Sequence, residues 1–223
     1  MTAPADAVAT TWWWDWVPDP DSGPADRAAW IAAVTARLDE WVGAKVAAAR
    51  EAWTAGDFPF AVGSMGDQVT RALLERAATL PGHARLLWGA GFLNGEARWL
   101  PVLLLVEFRV PLPGDSAYLM ATVGAEGRPD DVREPVIEYV STDHGDGVQV
   151  FALVDNADEG LHARVEAALR LESFGADVLI STKVTALDQM PVIGAGLTTA
   201  MTMIDASLAA GPVRLPLPAE DQP

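Results

Sequence analysis

Carboxylates are the side chains with the most chemistry to offer in this sequence, and their spacing is uneven. Glu126, Asp130, Asp131, Glu134, Glu138, Asp143, Asp146, Asp155, Asp158 and Glu159 crowd one stretch of the chain. A cluster of this kind can steer a basic protein partner or hold a loosely bound calcium ion. Asp155, Asp158 and Glu159 lack the ordered ligand spacing of a calcium loop, which favours the first task. The ordinary competitor is a set of solvated loops. The other unusual concentration is Trp12-Trp13-Trp14-Asp15-Trp16. In an extended segment Trp12, Trp14 and Trp16 share one face. Exposed, they would form an apolar recognition surface; otherwise the segment is an edge strand that packs them beneath the first helix.

Other chemistries are poorly served. There are no cysteines, which excludes disulfides, thiolate metal sites and a cysteine nucleophile. His83, His144 and His162 have no partner at a metal-ligand spacing. Val62-Gly63-Ser64-Met65-Gly66 fails the Gly-x-Ser-x-Gly spacing of a nucleophile elbow, and Ser64 reads better as a helix cap. Gly89 and Gly91 lead into a strand and hairpin instead of a helix N-terminus, so they form no phosphate loop and instead make room for bulky neighbours such as Leu100. No catalytic, cofactor-binding or metal-binding residue is expected.

The 31 acidic residues outnumber the 15 basic ones, for a formal charge of -16. That charge opposes approach to phosphate backbones and anionic lipid, so neither nucleic acid nor a membrane is an expected partner. The first twenty residues lack the basic start of a secretory signal, and no apolar stretch reads as long and uninterrupted enough to span a bilayer. A cytoplasmic protein is expected.

The elements that must position these residues are read from periodicity. Pro24 to Ala55 and Asp67 to Thr79 have helical spacing, and so does Gln189 to Ala210, whose apolar stripe holds Met190, Ile193, Leu197, Met201, Ile204 and Leu208. Strands are expected at 84–93, 96–110, 116–124, 135–142, 147–155, 161–172 and 177–187. Leu161 to Glu172 alternates most strictly, with Leu161, Ala163, Val165, Ala167, Leu169 and Leu171 on one face. Asn94-Gly95 signals a hairpin turn. In an up-and-down meander the loops 125–134 and 155–160 emerge at one end, bringing Asp130, Asp131, Glu134, Asp155, Asp158 and Glu159 together near Glu96.

The prediction is an α+β fold: an antiparallel meander of about six to seven strands, two N-terminal helices and one C-terminal helix. One domain spans 12–210, between disordered segments 1–11 and 211–223. This element order resembles the helix-grip fold of START-like proteins and is similar to the sandwiches of the PsbP and Mog1 type. The functional expectation is a non-enzymatic module that binds a basic protein, such as an adaptor, secretion chaperone or immunity-type factor. Its contact residues would be Trp12, Trp14, Trp16, Asp130, Asp131, Glu134, Asp155, Asp158 and Glu159. The alternative is a small-molecule binder or hydrolase with an apolar pocket lined by Trp88, Trp99, Met190, Ile193, Leu197 and Met201, although that spacing also suits ordinary core. A third reading is a structural subunit that associates through its sheet edge.

Overall fold

A computed structural model describes residues 10–52, 65–93, 99–112 and 117–211. The elements in chain order are β1 (Thr10–Trp16), α1 (Pro24–Ala52), α2 (Met65–Ala77), β2 (Ala84–Leu93), β3 (Trp99–Arg109), α3 (Ala117–Thr122), β4 (Val136–Ser141), β5 (Asp146–Asn156), β6 (Gly160–Leu171), β7 (Ala176–Val184) and α4 (Met190–Ala209). The fold is α+β, with one antiparallel sheet of seven strands in the order β1-β2-β3-β7-β6-β5-β4. β4 to β7 form a meander, and β3 lies beside β7, with Val106 opposite Ile180 and Phe108 opposite Val178.

One expectation needs correction. The segment 116–124 is no strand: Ala117–Thr122 is helical, and Leu119 and Val123, one helical turn apart, bury against Val148, Val150, Ala168 and Leu179. The helix-forming Ala, Leu and Met of this segment prevail over its brief strand-like alternation. α4 reaches the length and hydropathy of a bilayer-spanning segment over Val192–Ala209, but not without interruption. Its Ile193, Leu197, Met201 and Ile204 are buried and Asp205 interrupts its apolar run, features of a helix lying on a sheet. The expected Asn94-Gly95 turn, Glu96, residues 1–9 and the tail beyond Gly211 lie outside the described residues.

The chain forms two compact units, Met1–Leu80 with Trp88–Val102, and Pro81–Leu87 with Leu103–Pro223. In the first, α2 is pressed on α1 at Gly66, where a Cβ would lie 2.8 Å from Thr35. Trp13 meets Trp88 edge-on at 4.7 Å and Trp41 at 5.6 Å, and Trp30 of α1 donates to Asp15 at 2.9 Å. Odd-numbered residues of β1 thus face α1. Trp12 and Trp14 lie on the opposite face, not beneath the helix, stacked on each other with centroids 5.3 Å apart. Gly89 and Gly91 form their bed, since a Cβ at either position would run into the Trp14 or Trp12 ring.

In the second unit the sheet has two distinct faces. Leu169, Ala167 and Val165 of β6 share their face with Val178 and Ile180 of β7, and α4 covers this side, with Gln149 donating to Thr198 at 2.8 Å. The other face holds His162, Arg164, Glu166 and Arg170 beneath α3 and the segment that follows it. The alternation predicted for Leu161 to Glu172 separates these two environments.

Candidate functional site

The acidic end is built from two chain segments. The segment 128–132 leaves α3 and runs antiparallel to the end of β5: Val132 donates its N–H to Leu153 O at 2.7 Å and Asp155 donates to Asp130 O at 3.3 Å. An isolated bridge pairs Asp131 with Val154. The loop before β4 and the turn after β5 therefore meet, because antiparallel pairing of β4 with β5 returns the chain to the end it left.

The carboxylates brought together there fall into two groups. Asp131 is an internal fixture with its side chain only 4% exposed: it takes the Arg128 N–H at 2.7 Å and lies 3.0 Å from Arg164. Glu159 is exposed but bridges to Lys183 at 3.0 Å, whose hydrogen bond lowers the Glu159 pKa from its ordinary value. Among the described residues Asp130, Glu134, Glu138, Asp155 and Asp158 are exposed and have no cationic partner. Two of the nearby cations are engaged, since Arg128 grips both oxygens of Glu166 at 2.8 and 3.1 Å while Arg164 lies between Asp131 and Glu166; Arg133, beside Glu134, is exposed and unpaired among the described residues. Burial pushes the Glu166 carboxyl up, and the two guanidiniums draw it back.

Beyond this cluster lies the edge strand β4. Its apolar side chains are uncovered, with Tyr139 78% and Val136 48% exposed. On the α3 side of this edge a hollow of about 340 Å³ is lined by Tyr139, Leu119, Met120, Val148 and Ala168, with Asp146 and Glu172 among its acidic groups. On the α4 side a second hollow of about 480 Å³ is lined by Val136, Glu138, Phe151, Leu153, Met190 and Gly194. The hairpin joining β4 to β5 is pinned at its turn. Asp205, a buried carboxylate of α4, accepts the His144 backbone N–H at 3.1 Å and lies 2.9 Å from Nδ1 of the same residue.

The residues considered for an apolar pocket are not gathered into one. Ile193, Leu197 and Met201 are buried against the sheet, Met190 borders the α4-side hollow, and Trp88 packs on Trp13 and Trp41 in the first unit. The Trp99 side chain lies outside what is described. Trp12, Trp14 and Trp16 are each half-buried. Sequence reasoning did not single out Val136, Ile137 and Tyr139, although the run Val-Ile-Glu-Tyr-Val, apolar on both faces, was the available signal. It also passed over Asp205, a lone carboxylate in an apolar helix. Among the described residues no group of three His, Asp or Glu side chains could hold a metal ion. No protein-family model matches the chain, and no curated protein or solved structure matches it.

Proposed function

We propose that this protein is a non-catalytic binding module that captures a basic partner protein at the acidic end of its sheet. The observation that carries this reading is the inequality of the cluster: Arg128, Arg164 and Lys183 are consumed by internal pairs, while the five exposed carboxylates Asp130, Glu134, Glu138, Asp155 and Asp158 make no ion pair among the described residues and outnumber the exposed Arg133 among them. Unneutralised charge of one sign accelerates encounter with a partner of the other sign, and salt screens the effect. The alternative pocket reading is weaker, because three of its proposed lining residues are ordinary core.

The test is stopped-flow association with a lysine- and arginine-rich polypeptide across a range of ionic strength. The association rate should fall steeply with salt, and Asp130→Lys with Asp158→Lys should slow it at low salt. A rate indifferent to both would rule out the acidic end as the steering surface.

A further inference from the structure

We propose that the partner docks by adding an extended, basic segment to β4 as an eighth strand of the sheet. The inference rests on the binding-module reading and specifies how the partner is held.

The backbone of β4 is prepared for such an addition. β4 is the terminal strand of the sheet, and its pairing with β5 is unbroken from Val136–Phe151 to Ser141–Asp146. Thr142 donates its N–H to Gly145 O at 2.8 Å, so residues 142 and 145 form a hydrogen-bonded pair. Antiparallel ladders alternate, which assigns the N–H and C=O of Val136, Glu138 and Val140 to β5. Those of Ile137, Tyr139 and Ser141 point away from the sheet. Proteins normally blunt such an edge with lysine, proline, a bulge or a covering segment. Residues 136–141 contain no lysine or proline, their register has no bulge, and Glu138 is their sole charge.

A strand laid along β4 places alternate residues on opposite faces, and each face offers a hollow lined by both apolar and charged side chains: one beside Tyr139, the other beside Val136. In this mode of recognition main-chain bonds hold the segment and hollows for alternate side chains select it. The charge of the site then selects among occupants. Glu134 and Glu138 border the edge beside Arg133, and Asp146 and Glu172 line the α3-side hollow with Arg170, whose charge is already paired with Asp177, so carboxylates predominate. A second copy of this chain would bring the same carboxylates and a net charge of -16 against its own kind. A segment alternating apolar residues with lysine or arginine fits both the hollows and the charges.

The experiment uses the full chain and a synthetic peptide of about eight residues, a common strand length, alternating Val or Leu with Lys. Two further versions are N-methylated at alternate residues, one at odd and one at even positions. Binding is followed by anisotropy, and exchange of the backbone amides by NMR. One methylated version should bind about tenfold more weakly and the other about as well as the parent, because only one set of peptide N–H groups faces β4. The amides of Ile137, Tyr139 and Ser141 should exchange about tenfold more slowly in the complex. Tyr139→Pro deletes an N–H that the folded chain does not use internally, and it should abolish the protection while the melting transition stays cooperative. Peptide binding that depends on salt but is indifferent to both methylation patterns overturns strand addition and leaves the acidic steering intact. Light scattering that reveals dimers, with those three amides protected without peptide, also overturns it, in favour of a second copy.

Discussion

Removing Arg164 tests how the acidic end is constructed. Its guanidinium lies 3.0 Å from Asp131 and 3.7 Å from Glu166, with both arginine and aspartate side chains largely shielded from water. Arg164→Met keeps the apolar stem and deletes the charge. Asp131 is then left with one hydrogen bond, from the Arg128 backbone. Breaking a buried pair in this way costs about 3–5 kcal/mol, because the stranded carboxylate recovers little hydration. Glu166 adds little to the loss, since Arg128 still holds both its oxygens.

Asp131→Asn is the milder half of the cycle. Its amide oxygen can still accept the Arg128 N–H, and Arg164 retains Glu166, so the cost is about 1–3 kcal/mol. In the double variant the arginine is removed from a partner that has already lost its charge. The combined cost should therefore fall short of the sum by about 2 kcal/mol. Urea denaturation of the four proteins, with a common m-value, measures this directly. Additive costs, or Arg164→Met costing less than about 1 kcal/mol, would mean that the pair is a solvated contact. The assignment of Asp131 to the scaffold, and of its neighbour Asp130 to the contact surface, would then have no basis.

Three further outcomes are expected. Gly89→Ala should destabilise more than Gly91→Ala, each within or just above about 1–3 kcal/mol in thermal unfolding; a Cβ at 89 would lie 2.5 Å from the Trp13 carbonyl, which cannot rotate away, whereas at 91 it meets the Trp12 ring, which can. Loss of the Trp12–Trp14 stacking signal in circular dichroism should accompany Gly91→Ala. Gln149→Met should be neutral or stabilise by up to about 1 kcal/mol in denaturant, since it removes a buried Oε1 that lacks a hydrogen-bond partner. Burial pushes the Asp177 carboxyl up from 3.8 to about 6 despite its two bonds to Arg170. The folded chain therefore holds a proton between those values that the unfolded chain has released. This contribution to stability is complete below about 3.8 and is lost as pH rises through about 6. Asp177→Asn should flatten that slope in pH-dependent unfolding.

Legibility followed the range of the interactions. The alternation of β6 could be read locally because each face meets a different environment, α4 on one side and a layer of arginines and carboxylates on the other. Strand order could not be read, since nothing in β3 or β7 names the other as a neighbour. Asp130 and Asp131 are equivalent as adjacent letters, and what separates them is Arg164, far along the chain, which reaches one and not the other. The glycines of β2 were recognisable as places of close approach, but their occupants proved to be Trp14 and Trp12 instead of Leu100. Here the need was local and its satisfaction was not.

The β4 segment departs from this pattern in an instructive way. Val136, Ile137, Tyr139 and Val140 make a strand apolar on both faces, the composition of a strand covered on both sides. The fold nevertheless leaves it at the rim, with Ile137 37% and Tyr139 78% exposed. In the body of the second unit composition and environment agree more closely: β6 buries Ala163, Val165, Ala167, Leu169 and Leu171, with Leu161 exposed at its start, and α4 buries Ile193, Leu197 and Met201. Consistency of this kind is the rule for sequences that specify one structure, and departures concentrate where function imposes a second requirement. A strand apolar on both faces yet left at the rim is such a departure, and it is what motivates the proposed strand addition. On that proposal Glu134 and Glu138 along its border would select a basic neighbour.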